Sequence, residues 1–434
     1  SDKEKGLMYL VQGATYNHNH ANGMSLELYG AGSVMGIDPG KGLTYEAPMH
    51  VNYYAQWAAH NTVVSGGVSA SVPYFNGGGG AKKMGEIKLS AMEPKADKKA
   101  VSPYCSFTDT RYTDISTNTP QQRTLAIIRT SETSGYYVDI YRSANPASNE
   151  YIYHNIGNDI TFLNTDRKPV PVHSATFPIS KQPFDPPGFR NIADYKSTGS
   201  TSNETVALFS LNENASKPRF MQVLIAGEEE RTFYSGKAPP SGTADVPYRN
   251  IPTPAFIARQ QGEAWKRPFI AVYEPFEGSN HFTVEKIENI DRSNAGEFSA
   301  VKVSNKNAST QIILQSVKGN KVQKDDWQFQ GKFGVVSLDK NGLQYLYLGD
   351  GKQIAYKQYS LISKQGSGSA NLIIHGNNLT VSCNQETEVQ IKGRSANSIH
   401  LKEGGADNKL SIQKIAGGMS FIVPAVINGE IEIL

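Results

Sequence analysis

Cysteine is nearly absent. Cys105 and Cys383 are the only two in 434 residues, and they lie too far apart in sequence to suggest a local disulfide framework. Both read as free thiols, which excludes a small stapled scaffold. No run of about eighteen apolar residues occurs, so no transmembrane span is expected. No signal-peptide pattern opens the chain; Ser1-Asp2-Lys3-Glu4-Lys5-Gly6 reads as the interior of a longer protein. Strong charge of one sign is missing too. With 43 basic against 40 acidic residues the formal net charge is +3, so no large field is implied. Without a dense Lys/Arg stripe or a known binding motif, nucleic acid is not an expected partner. Lys82-Lys83 and Lys98-Lys99 are isolated pairs of the kind that usually sit solvated, although a polyanion can still meet a local basic cleft. Gly77-Gly78-Gly79-Gly80 lacks the Gly-Lys-Ser/Thr ending of a phosphate loop. Gly30-x-Gly32 with Gly36 misses the dinucleotide fingerprint.

Long amphipathic helices are not evident either, and the remaining composition points to strands. The chain is 38% hydrophobic and 19% charged, enough to bury substantial cores in two or three domains and too apolar for disorder. Forty glycines among many Ser, Thr, Asn, Tyr and Val residues indicate an all-β protein rich in turns. Strand signals recur at Thr124 to Arg129, Tyr136 to Tyr141, Ile160 to Leu163, Val206 to Leu211 and Arg219 to Ile225. They continue at Phe269 to Tyr273, Phe298 to Val303, Gln311 to Ser316, Phe333 to Leu338 and Gln344 to Leu348. That spacing predicts large antiparallel sheets stacked face to face. Lys364-Gln365-Gly366-Ser367-Gly368-Ser369 reads as a linker, so the expected domains are 1–364, a large antiparallel β-sandwich, and 365–434, a small C-terminal β-sandwich.

Chemistry concentrates near the N-terminus. His18 and His20 stand two residues apart, so on an extended segment they share one face. Leu26-Glu27-Leu28-Tyr29 and Val34-Met35-Gly36-Ile37 flank Gly30-Ala31-Gly32, which predicts a hairpin with glycine supplying the turn dihedrals. The fold-back returns Asp38 towards His20, and Ala59-His60-Asn61-Thr62 offers a third ligand in His60. Imidazole and carboxylate are ligand types that zinc accepts, and three protein ligands with an open position is a common zinc arrangement. The same residues also fit ordinary hydrogen-bonded histidines, and spacing alone does not separate the two. Between residues 41 and 62, Tyr45, Tyr53, Tyr54 and Trp57 are placed either to stack on sugar rings or to pack under a long loop. His50 and His154 are open to a cleft or a structural role in the same way.

The string His18-Asn19-His20-Ala21-Asn22-Gly23-Met24-Ser25-Leu26-Glu27-Leu28-Tyr29, then Ile37-Asp38-Pro39-Gly40 and Ala59-His60-Asn61-Thr62-Val63-Val64, resembles the heparinase II/III-like polysaccharide lyases. Weaker matches follow at Arg123-Thr124-Leu125-Ala126, Tyr136 to Arg142, Tyr151 to Asn155 and Trp265 to Pro275. The resemblance implies a supersandwich of β-sheets and zinc held by His20, Asp38 and His60. It places His18, with Asn17 beside it, in the substrate cleft near the scissile uronic acid, and implies a zinc that holds the cleft together. Relatives of this kind carry a helical (α/α) toroid before the motif, with a catalytic tyrosine in it. No such region is present here.

The expected activity is β-elimination on an acidic, uronic-acid-containing polysaccharide, incomplete without the toroid. His18 is assigned to catalysis, Asn17, Tyr54 and Trp57 to substrate binding, and His20, Asp38 and His60 to zinc. By resemblance the protein is periplasmic or secreted in a bacterium. A non-catalytic carbohydrate-binding or scaffold module of the same fold is the alternative. A hydrolytic zinc centre is a third reading, for which no motif positions a general base.

Overall fold

A computed structural model describes residues 6–13, 20–42, 44, 47–67, 86–114, 116–179, 188–211, 216–291, 297–376 and 378–434. The chain is all-β, and its contacts divide it into two compact units, residues 1–90 with 110–283, and 91–109 with 284–434. No described helix is long and apolar enough to cross a membrane.

In the first unit, an eight-stranded antiparallel sheet runs Asp159–Leu163, Thr205–Leu211, Arg219–Ile225, Phe269–Glu277, Gly135–Ser143, Thr119–Arg129, Cys105–Asp114 and Lys88–Glu93. The last two strands run on into the second unit. A six-stranded sheet orders His173–Ser174, Ala193–Thr201, Arg231–Ala238, Thr253–Gln261, Ser148–His154 and Val63–Ser65. Aromatic side chains join their inner faces. Tyr153 meets Phe209 and Tyr273 at ring-centroid distances of 5.6 and 4.7 Å, and Phe162 meets Phe256 at 6.1 Å. Strands buried on both faces read as near-continuous apolar runs, which is why Phe269–Glu277 and Gly135–Ser143 stood out in the sequence.

A three-stranded sheet, Met8–Gln12, Ser25–Gly30 and Ser33–Gly36, carries the histidine motif. The expected hairpin is present, with Gly30 paired to Ser33, and glycine supplies one of its two turn positions, Gly32, while Ala31 supplies the other. Ala31 and Gly32 take φ of 48° and 80°, positive at both central positions as a type I′ turn requires. Gly30 serves a different purpose: a Cβ there would run into the Pro275 ring.

The second unit corrects the expected boundary at 364/365, because its own strands begin at Val284. Trp327–Asp339 and Gly342–Tyr356 are long enough to serve two layers. Gly342–Tyr356 pairs through Tyr345 to Gly351 with Gly368–His375, and through Gln353 to Tyr356 with Tyr359–Ser363. Register shifts at Gln330/Gly331 and Leu348/Gly351 mark the bend, where bulges and glycine let a strand turn. Phe329, Leu346, Leu372, Val389 and Phe421 share the enclosed core. The Gly-Ser stretch is therefore a turn inside one sandwich. Lys364 N–H donates to Glu386 O at 3.0 Å, and the next strand starts at Gly368.

Candidate metal centre

Three short segments of the first unit converge. His20 leaves the histidine motif, Asp38 follows Ser33–Gly36, and His60 follows the 3-10 turn Trp57–Ala59. Their ligand atoms all lie within 4.8 Å of one another. The His60 and Asp38 side chains meet at 2.7 Å, Nδ1 to Oδ2. The His20 and His60 rings are 5.3 Å apart. Asp38 is fixed from behind by the Gly40 N–H, which donates to Oδ1 at 3.1 Å, while its backbone carbonyl accepts from Thr243 Oγ1.

Local electrostatics favour an ionised Asp38 beside a neutral His20. Burial pushes His20 down to about 3, helped by His60 and His50 and opposed by Asp38. Burial alone would raise Asp38. The charge and hydrogen bond of His60, the Gly40 N–H and His20 outweigh it and hold the carboxyl below its usual value. Deprotonated imidazole and ionised carboxylate are the states in which these groups bind a metal. His60 is fully buried, and its Nε2 has no hydrogen-bond partner among the described residues, a costly condition for a polar atom. The residues fit zinc by donor type, by separation and by this orphaned nitrogen.

Behind the triad, one amide ties its segments together. Asn61 Nδ2 donates to Leu26 O at 3.0 Å and to Ile37 O at 3.1 Å, the latter being the residue before Asp38. Its Oδ1 accepts from the His154 backbone N–H at 2.6 Å and lies 3.1 Å from His154 Nδ1. His154 Nε2 is 3.1 Å from the Tyr53 hydroxyl. With Nδ1–H on Asn61, that nitrogen accepts from Tyr53, and burial followed by His60 keeps the ring neutral, down to about 3. Arg123 then joins this assembly to the eight-stranded sheet. Its Nη1 donates to Met24 O at 2.5 Å and Asn61 O at 2.8 Å, while Nε and Nη2 grip Asp139 at 3.0 and 2.6 Å. None of these roles was visible in the sequence beyond the presence of Asn61 in the motif.

Other site expectations resolve differently. His18 and Asn17 lie outside the described residues, as does Tyr45. Tyr54 and Trp57, expected to bind substrate, are 6% and 3% exposed. The Tyr54 hydroxyl donates to Pro240 O at 2.6 Å, and the Trp57 ring packs beside Tyr112 at 6.0 Å. Neither offers a face to a sugar, because the segment from His50 to Ala59 folds as two short helical turns whose aromatic side chains point into the core. His50 is buried, 3.0 Å from Lys41 O through Nδ1 and 5.3 Å from the His20 ring.

The heparinase II/III-like C-terminal family model matches residues 10–118, and the model for the endo-acting ulvan lyase C-terminal domain matches residues 284–374. An endo-acting ulvan lyase from Formosa agariphila is 35% identical over 376 residues, 83% of this chain and 45% of that protein. The chain thus spans about half the length of the curated relative it matches. Among solved structures, a heparinase III superposes with a TM-score of 0.41 at 11% identity, over 72% of this chain and 38% of that one. The heparan sulfate lyase HepC from Pedobacter heparinus gives 0.40 at 13% identity, over 72% and 39%. Superpositions at that level leave the assignment to the sequence matches.

Proposed function

Because the chain belongs to the heparinase II/III-like polysaccharide lyase family, as its C-terminal portion, we propose that it forms the β-sandwich half of an enzyme that cleaves a uronic-acid-containing polysaccharide by β-elimination. The observation that carries this reading is the convergence of His20, Asp38 and His60 within 4.8 Å inside the region matched by the family model. The Formosa relative supports ulvan as the first substrate to try.

The reaction removes the C5 proton of a uronate, forms the C4–C5 double bond from that electron pair, breaks the C4–O bond and returns a proton to the leaving oxygen. The substrate carboxylate must be neutralised while this happens. His18 is assigned to that carboxylate or to proton handling, with Asn17 beside it. His20, Asp38 and His60 would hold zinc, which when bound supplies a fixed positive charge linking three segments of the cleft wall. Asn61 and Arg123 orient those segments, in the way that outer hydrogen bonds orient metal ligands. A catalytic tyrosine and the opposite cleft wall would come from a helical toroid elsewhere in the protein. Such a polymer is met outside the cytoplasm, which supports a periplasmic or secreted location.

Plasma mass spectrometry of the chain, prepared without chelator, tests the metal centre. About one zinc per chain is expected, lost in Asp38→Ala and His20→Ala and kept in His18→Ala. No metal in the wild type refutes the centre. The full-length protein, incubated with ulvan, should then release product with the absorbance of an unsaturated uronate. Saturable binding without that product would favour the carbohydrate-binding module instead.

A further inference from the structure

Lys95, Lys98 and Lys99 line one groove of about 680 Å³, built entirely within the second unit and faced by Asn384, Asn428 and Glu403. All three lysines are exposed, and none has an ion pair among the described residues. Some lysines of the same unit do find carboxylates, Lys286 with Glu288, Lys318 with Glu297 and Lys402 with Glu432, each at 2.7 Å; what sets the three apart is that they share one concavity. Three cations left unmatched on one wall of a concavity are a different arrangement from a solvated charge run.

Both walls are fixed. The lysine loop is closed at its base by Glu93, whose Oε1 accepts from the Val101 N–H at 2.9 Å and whose Oε2 accepts from the Tyr347 hydroxyl at 3.0 Å. Those bonds occupy the one carboxylate beneath the lysines. Within the loop Lys98 N–H donates to Lys95 O at 3.0 Å. Opposite, the Asn384 carboxamide oxygen accepts from the Ser369 N–H at 3.0 Å, and Asn428 N–H donates to Ser382 Oγ at 2.8 Å. Three cations on one side outnumber the Glu403 carboxylate that stands with the carboxamides on the other, which matches a ligand carrying anionic groups and hydroxyls together. Among the described residues, no aromatic side chain lines the groove to stack a nucleic-acid base, as single-strand binders require.

We infer that this groove is a second glycan-binding site, which takes an acidic oligosaccharide through its sulfate or carboxylate groups and holds polymer independently of the metal centre. The class of ligand rests on the lyase reading above; the cationic groove does not. The test titrates the 434-residue chain with a fluorescently labelled, size-defined ulvan oligosaccharide at low and physiological salt. Replacing all three lysines (K95A, K98A and K99A together) should weaken binding about tenfold at low salt. The matching arginine triple variant should bind within about twofold of wild type. Amine acylation followed by mass spectrometry should show these three lysines shielded by bound oligosaccharide, in the wild type and in Asp38→Ala alike. Undiminished affinity in the alanine triple variant, unshielded lysines, or no saturable binding at all would overturn the inference. Failure of the lyase reading is separate: it appears as absent product from the full-length protein, whatever the groove binds.

Discussion

Asn61 uses both donors and its acceptor on backbone and side-chain groups of three other segments, so its removal should reach the proposed metal centre without touching any of the three proposed ligands. Asn61→Ala leaves two carbonyls and a buried N–H unsatisfied, a loss of about 2–4 kcal/mol. Zinc affinity, read by competition with a chelator, should fall about 10–100-fold. Unchanged affinity would make Asn61 a purely structural residue. Asn61→Asp should fare no better, because it turns acceptors towards the carbonyls of Leu26 and Ile37. At this scale the approach of Asp38 to His20 was legible from the hairpin between them, and His60 was named from its own His-Asn-Thr segment; that the three side chains meet is the structure's contribution. The sequence did not carry Arg123, whose partners Met24, Asn61 and Asp139 are joined only by tertiary contact. Tyr54 and Trp57 were misplaced for a related reason: an aromatic residue near a cleft motif has the same composition whether its face is open or packed.

The hairpin that delivers Asp38 separates two effects of small residues. Ala31 holds φ of 48°, a conformation that costs an L-residue roughly 1–2 kcal/mol. Ala31→Gly should therefore gain about 0.5–1 kcal/mol, after the added freedom of the unfolded chain is counted. Gly30→Ala should lose about 1–3 kcal/mol, because its Cβ meets the Pro275 ring and overpacking is not relieved by a flexible neighbour. Equilibrium denaturation of the two variants reads both signs. Equal and small changes would contradict this account of the turn. Strand positions were legible because period-two and continuous apolar runs mark them. Their ends were not: Phe333 to Leu338 is the C-terminal half of Trp327–Asp339, because Gly331 and Lys332 interrupt the apolar pattern at a register shift while the backbone ladder continues through it.

For the whole molecule, buried titratable groups pull stability in opposite directions with pH. His20 and His154 are both held near 3, below the ordinary histidine value. The unfolded chain binds more protons than the folded one between about 6.5 and 3, so each residue makes the metal-free protein less stable as pH falls through that window, by about 2 kcal/mol at pH 5. Glu150 works the other way. Burial, opposed by Arg259, Ser148 and Gly67, pushes it up to about 7, so the folded state takes up its proton first and gains stability on acidification between about 7 and 4.5. Glu150→Gln removes that gain, and its melting temperature should fall more steeply from pH 7 to 5 than that of the wild type. Parallel profiles would show that Glu150 does not titrate there. The all-β class was legible from composition, while the division of the molecule was not, because a Gly-Ser turn inside a sandwich and a linker between domains look alike in one dimension. The actual division has a practical corollary. The chain leaves its first unit at Ser90, contributes residues 91–109 to the second, and returns at Thr110. No single cut yields two intact pieces. A fragment ending at Thr283 would carry Phe107 without the Phe333 ring it stacks on, and one starting at Val284 would lack Glu93 beneath Tyr347. Expression by halves requires either a graft of the 91–109 excursion onto the second piece or a short bridge from Ser90 to Thr110 in the first.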